Sequence, residues 1–193
     1  MRVIGLAVVL AVGVFGAPRA AEAQPPGKTY RVGVLVPGTA AATAPSIAVF
    51  RQSLSGLGYV EGKNIVMELR YSETAELHAQ NADELTRLGV DVILVTTTTS
   101  ALAAQRATRT IPIVMISVSD PVQAGLVESL ARPGGNITGN AVLFPELTLK
   151  QLEFIKETLV RASRVLVLGN WSNPSTTPLW STLQTLRGVW ACA

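Results

Sequence analysis

The sequence predicts an α/β protein built on a doubly wound parallel sheet, and three observations carry that prediction. Short Val- and Ile-rich runs of strand length recur at Tyr30–Val36, Asn64–Tyr71, Val90–Val95 and Ile111–Ile116. Stretches of helical period separate them, with Gly or Pro at the joins. Most of the runs are apolar throughout, as strands covered on both faces are. With 193 residues and 48% hydrophobic content, the chain can bury a real core, so one domain plus part of another is expected.

The first segment has the pattern of an export signal. Met1-Arg2 gives a short positive start, Val3 to Phe15 is almost wholly apolar, and Ala21-Glu22-Ala23 is a small-x-small cleavage pattern. Cleavage is expected between Ala23 and Gln24, leaving a periplasmic protein. The apolar run is shorter than the roughly 20 residues that span a bilayer, which argues against an anchor. A lipoprotein would need Cys where Gln24 stands. The single cysteine, Cys192, allows no internal disulfide.

The mature chain opens with a short polar leader, and Tyr30–Val36 then reads as a buried strand ended by Pro37-Gly38. A helix is expected from about Pro45-Ser46, with Ile47, Phe50 and Leu54 on its apolar face and Gly56 and Gly58 at its end. Asn64–Tyr71 alternates as a second strand. Glu76 to Leu88 reads as a helix with Leu77, Ala82, Leu85 and Leu88 inward, and its His78 as a solvated polar residue. Val90–Val95 is the third strand, Ser100 to Thr108 an Ala-rich helix, and Ile111–Ile116 the fourth strand. Asp120-Pro121 is expected to open a helix running to about Ala131, stopped by Pro133-Gly134-Gly135.

The pattern then changes. Ile137 to Leu143 has no amphipathic period and reads as a hinge. Thr148 to Gln151 fits a capping box, and Leu149, Leu152, Ile155 and Leu159 form the stripe of a new helix. Arg164–Leu168 reads as another buried strand, ended by Gly169 to Pro174. The domains expected are a signal over 1–23, a first lobe over 24–139, a hinge and the start of a second lobe over 140–177, and a divergent tail over 178–193. Beyond Asn173 poor packing is expected.

Ligands of doubly wound sheets bind beyond the carboxyl ends of the strands. Those ends carry Gly38 and Thr39 after the first strand, Thr97, Thr98, Thr99 and Ser100 after the third, and Ser119 and Asp120 after the fourth. The Thr/Ser run precedes a helix, where hydroxyls and free backbone N–H groups suit a carboxylate or another small anion. Asp120 either caps the next helix or accepts a ligand ammonium. Thr99 and Ser100 are equally ordinary N-cap residues.

Several function classes lack support. Net charge is +3 without a basic run, and aromatics are only 5%, so no nucleic-acid surface is expected. No nucleotide-binding glycine motif, nucleophile elbow or acid/base carboxylate pair stands out, and His78 is the single histidine. Neither catalysis nor a cofactor or metal is expected.

At this point a resemblance enters. Tyr30-Arg-Val-Gly-Val-Leu35, Gly58-Tyr-Val-Glu-Gly-Lys-Asn64, Ala104 to Val114, Asp120-Pro-Val122 and Leu130 to Gly139 carry it, with the last segment the most specific. Over about residues 28 to 174 the chain resembles ABC-transporter substrate-binding proteins of the tryptophan-binding type, within the periplasmic-binding-protein superfamily (type I lobes). The resemblance implies two Rossmann-like lobes closing on a small ligand, such as an aromatic or branched-chain amino acid, and an ABC permease of the inner membrane as partner. By carry-over, Gly38, Thr39, Thr97–Ser100, Ser119 and Asp120 line the first lobe's wall, and Asn170 and Asn173 the second's. The alternative is a ligand-sensing domain of a periplasmic signalling system. Family members continue well beyond this length, so a truncated and impaired receptor is the expectation.

Overall fold

The computed structural model describes residues 27–142, 144–161, 164–171 and 173–184, with backbone only at 144–146. The expected signal over 1–23 and the last residues of the tail, Cys192 included, lie outside the described residues.

Strands β1 (Tyr30–Pro37), β2 (Ile65–Ser72), β3 (Val92–Val95), β4 (Ile113–Ser119) and β5 (Ile137–Val142) form one sheet. Their order is β2-β1-β3-β4-β5 and every pair is parallel. Helices α1 (Ala40–Gly56), α2 (Ala75–Arg87) and α3 (Thr98–Ala107) make the crossovers after the first three strands. Two further helices follow the sheet, α4 (Phe144–Thr158) and α5 (Thr176–Gln184).

Successive strand residues face opposite sides, which sorts the core into two clusters. Leu35, Ile93, Val95, Ile113 and Met115 pack beneath Ala82 and Leu85 of α2 and the alanines of α3. Val34, Val36, Met67 and Leu94 pack beneath Ile47 of α1, with Phe50 and Leu54 partly buried beside them. The apolar stripe read for α1 therefore faces the sheet as the sequence predicts. Each crossover helix begins at a threonine: Thr39, Thr74 and Thr97 cap α1, α2 and α3 through their side chains.

The structure corrects the sequence reading at several elements. Helix α1 starts at Ala40 rather than near Pro45, because Thr39 accepts the Ala42 amide at 3.3 Å and the first turn is Ala-rich. Pro45 removes one helical bond without ending the helix. On α2 the inward face is His78, Asn81, Ala82 and Leu85, while Leu77 and Leu88 are exposed. The Asn81 amide donates to the Tyr71 carbonyl and the Ser72 hydroxyl. His78 is therefore not solvated: it is 5% exposed, its Nδ1 has no hydrogen-bond partner, and burial holds its pKa below the ordinary value.

The segment read as a hinge supplies β5, an edge strand whose one fully buried side chain is Ile137. Such a strand has no need of a strict apolar period. Residues 121–131 form turns instead of the expected helix. The amides of Leu126 and Val127 fold back onto the Pro121 carbonyl, and Gly125 sits at φ +69, which interrupts any helical run.

Helix α4 begins at Phe144, so Thr148 lies inside it and does not cap it. Arg164–Leu168 is not a strand: it has no ladder partner among the described residues, and Leu166 and Leu168 are exposed. Beyond Asn173 the chain is better ordered than expected. Helix α5 packs against α4 and buries Leu183, and Trp171 meets Trp180 edge to face at 5.7 Å.

Candidate functional site

The carboxyl ends of β3 and β4 carry the most elaborate local geometry in the molecule. Between Met115 and Val118 the β4–β5 register shifts, so Ile116 and Ser117 together oppose Asn140. This is a bulge, which re-aims the residues that follow it. Ser117 adopts φ 57, and its amide donates to Asn140 Oδ1 at 2.7 Å, which supplies the partner that the disrupted ladder withholds. Opposite Met115 stands Gly139 at φ +133, where any Cβ would collide with the Met115 carbonyl. A side chain there would push the two strands apart.

The second departure from ordinary backbone is Asp120, at φ 36. Non-glycine residues in this region cost about 1–3 kcal/mol and gather where a site needs a fixed geometry. Its amide donates to the Val142 carbonyl at 3.3 Å, and its Oδ1 accepts the Gln123 amide at 3.1 Å. Asp120 thus caps a single turn, and its second carboxylate oxygen has no hydrogen-bond partner among the described residues.

The Thr/Ser run resolves into distinct tasks. Thr97 is the N-cap, accepting the Ser100 amide at 3.2 Å, while the Ser100 hydroxyl stands 3.1 Å from the Thr97 amide. These two form a capping box and set the direction of α3. Thr98 is the residue turned toward the next strand end: its hydroxyl lies 3.4 Å from the Ser119 carbonyl and 2.9 Å from the Ser175 hydroxyl.

Around these groups lies a pocket of about 200 Å³. The sheet side supplies Thr98, Leu102, Ser119, Asp120, Gln123 and Ala124; the other side supplies Pro174, Ser175 and Pro178. Asp120 is the one charged side chain in this lining, amid hydroxyls and an amide, with Leu102, Ala124 and the two prolines forming an apolar wall. The arrangement suits a small solute with a cationic or hydrogen-bond-donating head and an apolar body.

Of the residues singled out in the sequence, Thr98, Ser119 and Asp120 come together here. Gly38 and Thr39 do not line this pocket; the Gly38 amide bonds to the Ser72 carbonyl and Thr39 caps α1. Thr97, the N-cap of α3, and Thr99 and Ser100 in its first turn do not line it. Asn170 and Asn173 lie beside the second wall: Asn173 Oδ1 accepts the Ser175 amide at 3.0 Å, and the Asn170 carbonyl accepts the Thr176 hydroxyl at 2.6 Å. They shape the turn that presents Ser175.

Sequence reasoning missed Ser175, Gln123 and Asn140. The signal for Ser175 was the Asn173-Pro174-Ser175 turn, and for Asn140 the Gly139-Asn140 pair within a strand. Among the described residues no group of three or more His, Cys, Asp or Glu side chains forms a metal site. No described helix is long and apolar enough to cross a membrane.

Comparison with known proteins gives concordant results. A family profile described as ABC transporter substrate binding protein matches residues 31–186. A tyrosine-binding protein of Clostridioides difficile is 37% identical over 125 residues, covering 64% of this chain and 35% of that protein. Among solved structures, a conserved domain protein from Vibrio cholerae has 28% identity and a TM-score of 0.73, covering 86% of this chain and 58% of that one. The ligand-free, open structure of a Clostridium difficile substrate-binding protein with adhesive properties has 26% identity and a TM-score of 0.63, covering 86% and 56%. An ABC domain from Streptococcus pneumoniae, in complex with L-Trp, shares the fold at 22% identity and a TM-score of 0.72, covering 84% and 54%. The chain thus spans about a third of the curated relative's length and somewhat over half of each solved chain.

Proposed function

Because the chain belongs to the ABC transporter substrate-binding protein family, we propose that its pocket takes a small amino-acid-like solute for delivery to an ABC permease, with the periplasm as its place of work. Members of this family bind and do not catalyse. The observation that carries the reading is Asp120: a carboxylate in a strained, anchored backbone, alone among uncharged groups at the mouth of an apolar wall. Its unengaged oxygen matches a ligand ammonium, while Thr98 and Ser119 offer hydroxyls to the ligand's polar head. Leu102, Ala124, Pro174 and Pro178 suit an aromatic or branched side chain. The tyrosine-binding relative and the L-Trp complex support an amino acid as the first class to try.

Isothermal titration with L-tyrosine, L-tryptophan, L-phenylalanine and the branched-chain amino acids tests this. Asp120→Asn keeps the cap and tolerates positive φ, yet removes the charge. It is expected to weaken binding by about 10- to 100-fold, the worth of a charge-assisted hydrogen bond of about 1.5–3 kcal/mol. Binding indifferent to this substitution, or absent for the whole panel, would sink the proposal.

A further inference from the structure

Among the described residues, two that are not glycine adopt positive φ, Ser117 at 57 and Asp120 at 36. Both amides are held by the edge strand β5. The Ser117 amide donates to Asn140 Oδ1 at 2.7 Å, and the Asp120 amide to the Val142 carbonyl at 3.3 Å. A carboxamide nitrogen cannot accept from an N–H, so the orientation of the Asn140 side chain is fixed by its partner. Backbone in this region persists where its surroundings hold it from several sides.

The bulge also decides where the following side chains point. Before it, Ile113 pairs with Ile137 and Met115 with Gly139; after it, Val118 pairs with Ala141 and Ser119 with Val142. The extra residue on β4 inverts the alternation of all that follows. Ile113, Met115 and Val118 accordingly share one core cluster, although regular alternation would turn Val118 to the opposite face. Ser119 and Asp120, which line the pocket, follow the same inversion.

We propose that Asn140 is a positioning residue for the pocket: its side-chain oxygen holds the bulge that aims the Asp120 carboxylate. This rests on the reading of the pocket as a solute site. Asn140 and Ser117 are exposed, so their bond guards a direction and adds little to the core. Val118 pins the bulge from the core and Gly139 from the facing strand, and the carboxamide fixes the Ser117 amide between them. A side chain of the same shape without the acceptor leaves that amide to water and loosens the backbone up to Asp120.

Titration of L-tyrosine into single and double variants tests this. Asn140→Leu removes the acceptor at nearly constant volume and is expected to weaken binding about fivefold, the worth of one ordinary hydrogen bond. Asn140→Asp keeps an acceptor oxygen and is expected to stay within about twofold of the unaltered protein. In an Asp120→Asn background, Asn140→Leu is expected to cost less than about twofold, because the charge it aims is already gone. No loss with Leu, equal losses with Leu and Asp, or the full loss in the Asp120→Asn background would overturn the positioning role. A second readout needs no ligand. In NMR spectra of the Asn140→Leu protein, the Cα and Cβ shifts of Ser117 and Asp120 are expected to leave their left-handed values, and to return with Asn140→Asp. Unmoved shifts at Asp120 overturn the proposal whether or not any amino acid binds. If the shifts move but no amino acid of the panel binds the unaltered protein, the solute reading fails and the positioning of Asp120 stands.

Discussion

Residues 27–142 and residues 144–184 contain similar apolar residues and treat them very differently. In the first region every strand contributes to one or both of the two core clusters, and Leu35, Leu85, Ile93 and Ile113 are fully buried. In the second, the buried apolar side chains among the described residues are Leu152 and Leu183, whereas Phe154, Val160, Leu166 and Trp171 are exposed and Leu168 is 89% exposed. The difference lies in partners, not in composition. A Val/Leu run becomes a strand when a neighbouring ladder accepts its backbone groups, and Arg164–Leu168 has none beside it among the described residues. The pocket lies where the two regions meet, with one wall from the densely buried first region and the other from the sparsely buried second.

Truncating a leucine in each region should give the largest contrast. Leu85→Ala is expected to destabilise the protein by about 2–5 kcal/mol, by removing buried methyls from between α2 and the sheet. Leu168→Ala is expected to change stability by less than about 0.5 kcal/mol. Urea unfolding of both variants measures the contrast, and equal losses would mean that the second region has a core of its own.

A lesion at the bulge should have an intermediate effect. Gly139→Ala places a Cβ against the Met115 carbonyl at a φ closed to ordinary residues, and is expected to cost about 1–3 kcal/mol. Because Ser119 and Asp120 follow that bulge, solute binding should weaken with it. Full binding affinity in a destabilised Gly139→Ala protein would separate the bulge from the site.

A smaller effect is expected from His78. Burial holds its folded-state pKa below the ordinary 6.5, so the unfolded chain takes up the proton first as pH falls. Well above pH 6.5 the group is neutral in both states and adds no pH dependence. Stability is expected to decline as pH drops through 6.5 towards the folded-state pKa, and to level off below it. His78→Gln should flatten this limb in urea titrations at stepped pH, and an unchanged limb would assign it to other groups.

Strands β1 to β4 and the helices between them were legible because their residues answer to one nearby surface, and a periodic pattern records that. Helix α3 was legible for the same reason, although its cap proved to be Thr97 and not the residues after it. Edge strand β5 was not, since Ile137 alone must be buried and Gly139 and Asn140 serve the bulge. His78 was misjudged from its chemical type, when its position one turn before Ala82 and Asn81 places it on the buried face. Of the candidate pocket's lining, Thr98, Ser119 and Asp120 were singled out from their places at strand ends. Ser175 was not, because a contact across 77 residues brings it there and no local pattern encodes that.

On the proposed reading, one solute engages both regions at once. Hydrogen–deuterium exchange with and without saturating L-tyrosine tests it most directly. Slowed exchange is expected at the non-proline amides within 98–102 and 119–124 on the sheet side, together with those within 175–184 on the other. Protection confined to one side, or exchange unchanged on both, would contradict it.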